Sequence, residues 1–352
     1  MAGTSFSGSS TGGPAAGAPS RLGAALLADE RDRMATRRNQ IDRLAGRVGL
    51  STRVHQHRGG VATILGYHSV GDPMAVGGDP RMVLSPADFT AQMEFLAAKR
   101  RVVSLESLLD TLAAGETPER GTVVLTIDDG YRDTLTTALP ILERLGLHAT
   151  VYLSGGFIGG GRVMPIDDLY WSFTQRRRDE LPDGIVDPSL QTLTPANEHQ
   201  AFAVLGGRTL DLSPDDRDAE LAAIREALDP ADPPPSRMMT WDEVATLGAS
   251  PQITLAIHPH RHTDLRAYPD MLDDEFCATR DAIEAATGFR PLDVSYAYNR
   301  QGPGAAARAA ELGFRSALGA GASRVVTAGT SPFALMRMDG PRDLDLLRAW
   351  TL

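Results

Sequence analysis

Two pairs of ionisable residues follow apolar, strand-like segments of this sequence. Asp128 and Asp129 come directly after the run TVVLTI, and His258 and His262 follow the run ITLAI. The carboxyl ends of parallel strands are where α/β barrels place their catalytic groups. One carboxylate and two imidazoles form a metal site with open positions for water and substrate, and the second carboxylate can act as a base. This set of residues predicts metal-assisted hydrolysis.

The spacing within each pair favours convergence on one site. Gly130 permits a turn that can bring the two preceding carboxylates together. Residues four apart share one face of a helical turn, so His258 and His262 can bind one ion, whereas His260 between them should point elsewhere. Pro259 fits only the first turn of a helix, which predicts that the histidines lie where a loop enters a helix. A surface DDG turn and a histidine-rich surface loop are the alternative interpretations.

Composition limits the kinds of partner. The chain has 352 residues, is 42% hydrophobic and 23% charged, and carries a net charge of -10, with a pI near 5.3. A soluble protein fits these values, and a nucleic-acid binder does not, because such proteins carry basic patches. No segment approaches the run of about 18 apolar residues that spans a bilayer. The N-terminus lacks the charged-then-apolar order of a secretory signal, so we expect a cytoplasmic protein, with the oligomeric state open.

The chain divides into three parts by composition. Residues 1–20 are rich in Gly, Ser, Ala and Pro and should form a disordered tail. Residues 21–59 are expected to form an N-terminal helical extension, with a charged helix over 22–48. Its broken apolar stripe favours peripheral packing, and association with another chain is the alternative. A catalytic domain is expected over residues 60–352.

Helices alternate with continuous apolar strands in this domain. Such alternation predicts a parallel sheet covered on both faces, hence an α/β layer fold or barrel. Short strands are expected near the end of the chain. The main predicted strands are Val61–Tyr67, Arg101–Ser104, Thr122–Ile127, His148–Leu153, Ile253–Ile257 and Asp293–Tyr298.

The alternation breaks over residues 155–237. This stretch begins with SGGFIGGGR, ends with DPADPPPSR and contains an aromatic patch that includes Tyr170 and Trp171. We expect it to form an insertion over the active face that acts as a lid or a substrate wall, with Trp171 contacting the substrate. A peripheral decoration is the alternative.

Several segments, in order and spacing, resemble the polysaccharide deacetylase family, also called the NodB-homology domain or carbohydrate esterase family 4, in its short branch. TIDDG at 126–130 is similar to its T-F-D-D-G motif, and HPHRHTDL at 258–265 to its H-[ST]-x-x-H motif. ILGYHSVGD, WDEVATL, LGFRSALGAG and FALMRMDGPRD also match, so the resemblance covers residues 61–343. It implies a distorted (β/α) barrel of the NodB-homology type with an inserted region around 155–237.

The resemblance also implies roles. Asp129, His258 and His262 would bind one divalent metal ion, with zinc the expected one, and Asp128 would be the general base. The expected reaction is removal of an N-acyl group, first of all N-acetyl, from an amino sugar or glycan. If the protein is cytoplasmic, the expected substrate is a small glycoside, a nucleotide sugar or a pathway intermediate instead of a wall polymer.

Two departures from the family's pattern concern its second and third motifs. Pro259 replaces the usual Ser or Thr between the histidines. The short-branch motif A-Y-P-x-G reads AYNRQG, so Asn299 replaces proline. Tyr298 and Asn299 are expected to contact the substrate in an altered groove wall.

A third departure is the missing general acid. No histidine follows His262, so the family's late histidine is absent. His68, which ends the first predicted strand, is the best substitute, and a structural histidine is the alternative. Arg337 is expected to orient Asp128 through a charge-assisted bond, and Arg300 is a second candidate for that role.

The sequence therefore predicts a metal-dependent carbohydrate N-deacetylase. Two other functions remain open. One is hydrolysis of a non-sugar amide at the same metal site. The other is sugar binding without catalysis, which the missing late histidine and the altered third motif favour and the intact IDDG and HxxxH segments oppose.

Overall fold

A computed structural model describes residues 20–34, 60–73, 77–319 and 325–351. The predicted tail lies outside these residues except for Ser20. Most of the predicted N-terminal extension also lies outside them, apart from the helix Arg21–Met34.

The main sheet is parallel throughout. Among the described residues it has nine strands in the order β10-β9-β8-β7-β6-β5-β1-β11, with β4 paired to the start of β5, and β2 and β3 form a separate pair. The strands are β1 (Ala62–Tyr67), β2 (Ser69–Val70), β3 (Val83–Leu84), β4 (Arg101–Val102), β5 (Thr122–Ile127), β6 (Ala149–Ser154), β7 (Ile253–His258), β8 (Asp293–Ser295), β9 (Ser316–Gly319), β10 (Leu335–Met336) and β11 (Met338–Asp339).

Helices connect successive strands, and their ends carry the expected caps. Ser85 accepts from the backbone N–H of Asp88 at 3.0 Å, with proline in the first helical turn, and Gly146 ends a helix at a φ of 63°. The helices are α1 (Arg21–Met34), α2 (Pro86–Lys99), α3 (Leu105–Ala113), α4 (Leu139–Leu145), α5 (Pro165–Thr174), α6 (Glu198–Asp211), α7 (Pro214–Leu228), α8 (Trp241–Gly248), α9 (Leu272–Thr287), α10 (Ala305–Glu311) and α11 (Leu344–Trp350).

One short segment brings the two ends of the sheet together. β10 pairs with β9 and β11 pairs with β1, yet only Arg337 separates β10 from β11. The sheet therefore curves into a nearly closed barrel, as the sequence predicted. Arg337 lies at the point of closure.

Alternate residues of the strands belong to two different cores. Leu125 and Val151 pack with apolar side chains of α2, α4, α8 and α9, whereas Val124 and Tyr152 pack with Ile64 and other strand residues and with leucines of α3. This alternation follows from the two-residue period of a strand. It gives the barrel an inner and an outer apolar layer, and both hold the strand ends in place.

The stretch between β6 and α8 has an apolar core of its own. α5, α6 and α7 supply most of it, including the fully buried Phe173 and Phe202. Leu22 and Leu26 of α1 are buried in the same cluster, and the Ser20 hydroxyl lies 2.8 Å from the Tyr170 hydroxyl. The described part of the N-terminal extension therefore packs on the insertion.

Three elements differ from the sequence-based prediction. No helix starts at Pro259, because residues 259–262 form a turn that ends at His262 with a φ of 56°. The strand predicted over Asp293–Tyr298 stops at Ser295, since Tyr298 adopts a φ of 57° that no strand allows. After β11 the chain forms the helix α11, where only short strands were predicted. Among the described helices, none is long and apolar enough to cross a membrane.

Candidate active site

The two aspartates occupy a turn at the end of β5. The backbone N–H of Asp128 still donates to the carbonyl of Tyr67 on β1, at 2.9 Å. Asp129 then adopts a φ of 73° and Gly130 a φ of 94°, so the left-handed turn starts one residue earlier than the glycine suggested. A non-glycine residue in this region is strained, and such strain is concentrated at functional sites. Both carboxylates are about 1% exposed and face the same cavity.

Asp129, His258 and His262 form a cluster with the geometry of a metal site. Their nearest ligand atoms all lie within 4.8 Å of one another. The Asp129 Oδ1 atom is 3.9 Å from Nε2 of His258 and 3.5 Å from Nε2 of His262. Ser295 at the end of β8 holds the other ring nitrogen of His258, with an Nδ1–Oγ distance of 2.7 Å. That contact orients the ring so that Nε2 faces the cluster.

The electrostatics of the cluster suit a cation. The Asp129 Oδ1 atom is buried without a hydrogen-bond partner, which is costly unless a ligand satisfies it. Burial raises the pKa of Asp129 to about 7 and lowers the pKa of His258 to about 4. Burial also places the pKa of His262 well below its usual value. Neutral imidazoles beside an unsatisfied carboxylate are the form that binds a divalent metal, so the residues fit the group that the sequence implied.

Asp128 has a different environment from Asp129. Arg337 binds it through two nitrogens, with Nη1–Oδ1 at 2.6 Å and Nη2–Oδ2 at 2.5 Å. Burial alone would raise the pKa of Asp128, but the charge of Arg337, with a smaller effect from His258, outweighs burial and lowers it. Asp128 is therefore an anion at neutral pH beside the metal cluster, as a general base must be. Arg300, the second candidate for orienting it, pairs with Asp264 at 2.8 Å instead.

His68 is a second basic side chain near Asp128. Its Nε2 atom is 3.9 Å from Asp128 Oδ2, and its side chain is 24% exposed toward the cavity. A purely structural histidine of the core would be enclosed on all sides. The position after β1, next to β5, leaves this imidazole free to approach a bound substrate.

A cavity of about 490 Å³ joins these residues and the insertion. Its volume is in the range of small-molecule sites, about 300–1,000 Å³. Met164, the first turn of α5 and one face of α6 form one of its walls, so the insertion borders the cavity. Tyr298 and Asn299 also line the cavity, but Trp171 does not: its indole N–H donates to the carbonyl of Asp232 at 2.8 Å, and its ring packs against Gly77.

Comparison with known proteins identifies the family. The sequence model of the polysaccharide deacetylase family matches residues 115–317, more than half of the chain. The chain belongs to the polysaccharide deacetylase family. No curated protein matched the chain.

Solved structures of this family share the barrel. IcaB from Ammonifex degensii superposes with a TM-score of 0.54 at 16% identity, over 83% of this chain and 97% of that one. A de-N-acetylase from Aggregatibacter actinomycetemcomitans superposes with a TM-score of 0.50 at 16% identity, over 79% of this chain and 94% of that one. At this identity the likeness establishes the fold alone.

Two supports of the histidine turn could not be found from the sequence. Arg217 of α7 is 2% exposed and donates to the backbone carbonyl of Arg261 at 2.7 Å and, more weakly, to that of His262 at 3.4 Å. Glu275 of α9 is also buried and accepts from the Arg261 N–H and the Thr263 hydroxyl, at 2.8 and 2.7 Å. The only sequence signal for either residue is a charge on an otherwise apolar helix face, and many solvated helices carry such charges.

The altered third motif of this family member has a structural partner. The Asn299 side-chain oxygen accepts from Nε of Arg337 at 3.0 Å. Tyr298 stacks its ring edge-to-face on His262, with 4.6 Å between the ring centres. Asn299 is therefore linked to Asp128 through Arg337, and Tyr298 covers His262.

Proposed function

We propose that this protein is a metal-dependent hydrolase that removes an N-acyl group, first of all N-acetyl, from an amino sugar. One observation carries the proposal: a buried, unpartnered carboxylate oxygen faces two neutral imidazoles, and an arginine-held carboxylate lies beside them in the same cavity. Membership of the polysaccharide deacetylase family supports a carbohydrate substrate and hydrolysis as the reaction class.

Asp129, His258 and His262 would hold one divalent ion, and zinc fits this donor set best. When bound, the ion acts as a Lewis acid toward a water molecule and an acyl carbonyl. One carboxylate and two imidazoles leave coordination positions open, which a catalytic site requires and a structural zinc site does not.

The protein's own residues account for the proton transfers. Asp128, ionised and held by Arg337, accepts a proton from the water that attacks the acyl carbon. The attack forms the new C–O bond, and the C–N bond then breaks with its electrons going to nitrogen. His68 lies near the same carboxylate and donates the proton that makes this nitrogen a neutral leaving amine. Burial of the aspartates excludes bulk water and strengthens these interactions.

The test is a deacylation assay with three proteins. Metal-loaded wild type is incubated with a panel of N-acetylated sugars, and mass spectrometry detects the loss of the acyl group. Asp128→Asn should retain the metal and lose about 10²–10⁴-fold in kcat. His68→Gln should retain the metal and lose activity on amides more than on activated aryl esters, whose leaving groups need little protonation.

Each alternative function has its own outcome in this assay. Metal binding and sugar binding without any turnover would indicate a sugar-binding relative. Turnover confined to non-sugar amides would indicate an amide hydrolase of the same mechanism. Near-normal turnover by Asp128→Asn would place the base elsewhere.

A further inference from the structure

The wall that the insertion adds to the cavity is apolar apart from Thr209, whose hydroxyl donates to the carbonyl of Gly206 at 2.9 Å. The side chains of Met164 just before α5 and Ile166 in its first turn, and of Ala203 and Leu210 from α6, line the cavity together with Met82. Ala203 is exposed, and Ile166, Leu210 and Met82 are half-buried, so these groups present carbon surface to the cavity. The hydroxyl groups of a bare sugar would gain no hydrogen bond from such a wall and would lose water.

Two glycines in the same wall leave room for a ligand. Gly206 and Gly207 lie inside α6, where each costs about 0.5–1 kcal/mol of helix stability relative to alanine. Close packing does not require a glycine at either position. A Cβ on Gly207 would meet nothing within 4 Å, and one on Gly206 would meet only Ile166 Cδ1, at 3.9 Å. Both residues line the cavity. Their missing side chains widen it where the wall is apolar.

The other side of the cavity is polar. A smaller cavity of about 140 Å³ adjoins it and shares His68, Arg81, Met82 and Asp339 with it. Charged groups of α1 and of the segment after β11 line this smaller space, among them Glu30 and Arg342. The cavity is therefore lined by polar groups that suit sugar hydroxyls as well as by an apolar wall that does not.

We infer that the apolar wall binds an apolar substituent of the amino-sugar substrate. This inference rests on the proposed function and specifies its substrate class: an amphipathic amino sugar instead of a bare polysaccharide chain. An alkyl or aryl aglycone and a long N-acyl chain share this chemistry. The wall supplies contact area to either one, while Asp128 and the metal cluster act on the amide.

Binding is measured by calorimetry on the full chain carrying Asp128→Asn, so that no probe is consumed. One series of probes is the methyl, butyl and hexyl glycosides of N-acetylglucosamine. The other series is the methyl glycosides of N-acetyl-, N-butanoyl- and N-hexanoylglucosamine. Each buried methylene contributes about fourfold in affinity, so the longest member of the series that fits should bind at least about tenfold tighter than the shortest.

Two wall variants locate this preference. Gly207→Leu fills the space between the wall and the ligand, and Ile166→Gln makes the wall polar. Both should remove the gain in affinity with chain length. Because Ile166 also packs on the core of the insertion, Gly207→Leu is the safer variant, and α6 should tolerate it. Val204→Gln, on the same helix at a residue that is 42% exposed and outside the cavity, is the matched control.

The outcomes are distinct. A gain in the glycoside series identifies an aglycone, and a gain in the acyl series identifies a long acyl chain. Equal affinities within both series, binding of no probe, or a gain that survives both wall variants would overturn the inference. If the preference holds and the wild-type protein hydrolyses none of the probes, the binding site stands and the proposed hydrolase function fails.

Discussion

Replacing Arg337 by methionine should destabilise the protein by about 3–5 kcal/mol at pH 7. Arg337 and Asp128 are 5% and 2% exposed and share two short contacts. Removing one partner of a buried pair leaves the other as an uncompensated charge, which costs this amount, although the intact pair contributes little net stability. The measurement is urea unfolding followed by circular dichroism, with a chelator present so that metal binding does not contribute.

The cost of this substitution should depend on pH. In the wild type the pKa of Asp128 is lowered, so its contribution is present above the unfolded carboxyl pKa of about 3.9 and is lost as pH falls through the folded value. Without Arg337, burial dominates and the pKa of Asp128 rises. Protonation of Asp128 then removes the buried charge from the variant. The loss of stability relative to wild type should therefore become smaller as the pH is lowered from 7 to about 5. The acid limb of the variant's kcat/KM profile should move to higher pH for the same reason.

Two controls separate this explanation from a general loss of packing. Arg308 makes a similar set of contacts to Asp273 and Glu311, but these side chains are 45–64% exposed, so Arg308→Met should have a much smaller effect on stability than Arg337→Met. Asp128→Asn combined with Arg337→Met removes both charges and should recover part of the stability. A deficit of Arg337→Met that is below about 1 kcal/mol, or that stays constant from pH 5 to pH 7, would refute the reasoning.

The remaining predictions concern the metal site. His258→Ala should lose most of the bound metal in elemental analysis. His260→Ala should keep the metal, because Nδ1 of His260 lies 3.3 Å from the hydroxyl of Thr279 and not in the cluster. Equal metal contents of the two variants would exclude His258 as a metal ligand. Arg217→Met should weaken metal affinity about tenfold in a chelator competition, because the histidine turn loses its anchor, and an unchanged affinity would make Arg217 merely structural. Since burial raises the pKa of Asp129 to about 7, metal affinity should rise with pH up to about 7 and level off above it, with about one proton released on binding at pH 6. A flat affinity from pH 5.5 to 8 would contradict that assignment.

The barrel could be predicted because its strands carry a local signal. Runs such as TVVLTI and ITLAI are mostly apolar and β-branched, as strands covered on both faces are, and each leads into ionisable residues at its carboxyl end. The positions of Asp128, Asp129 and His258 follow from this pattern alone, because parallel strands end on one side of a sheet. Closure of the barrel does not follow from it, since β10 and β11 are two residues each and have no period to detect.

The residues that hold the histidines in place could not be predicted, because they are far from the histidines in the sequence although they contact them in the fold. Ser295 meets His258 across 37 residues, and Arg217 meets the histidine turn across about 44. A single serine or arginine forms no sequence motif that would identify it as part of the site. The histidine turn itself was wrongly predicted as the start of a helix, because HPHRH fits a helical face equally well until His262 is seen to adopt a left-handed φ.

The departure in the third motif is coupled to a change of backbone and not only of side chain. Asn299 has a φ of 55°, whereas proline is fixed near −65°, so a proline could not occupy this position in the observed turn. Asparagine tolerates the left-handed region, and its oxygen binds the Arg337 nitrogen that Asp128 leaves free. The three residues therefore form one chain of contacts, Asn299 to Arg337 to Asp128, at the place where the barrel closes. The sequence motif alone shows only that a proline is missing there, whereas the structure shows an additional hydrogen bond to Arg337, the residue that holds Asp128.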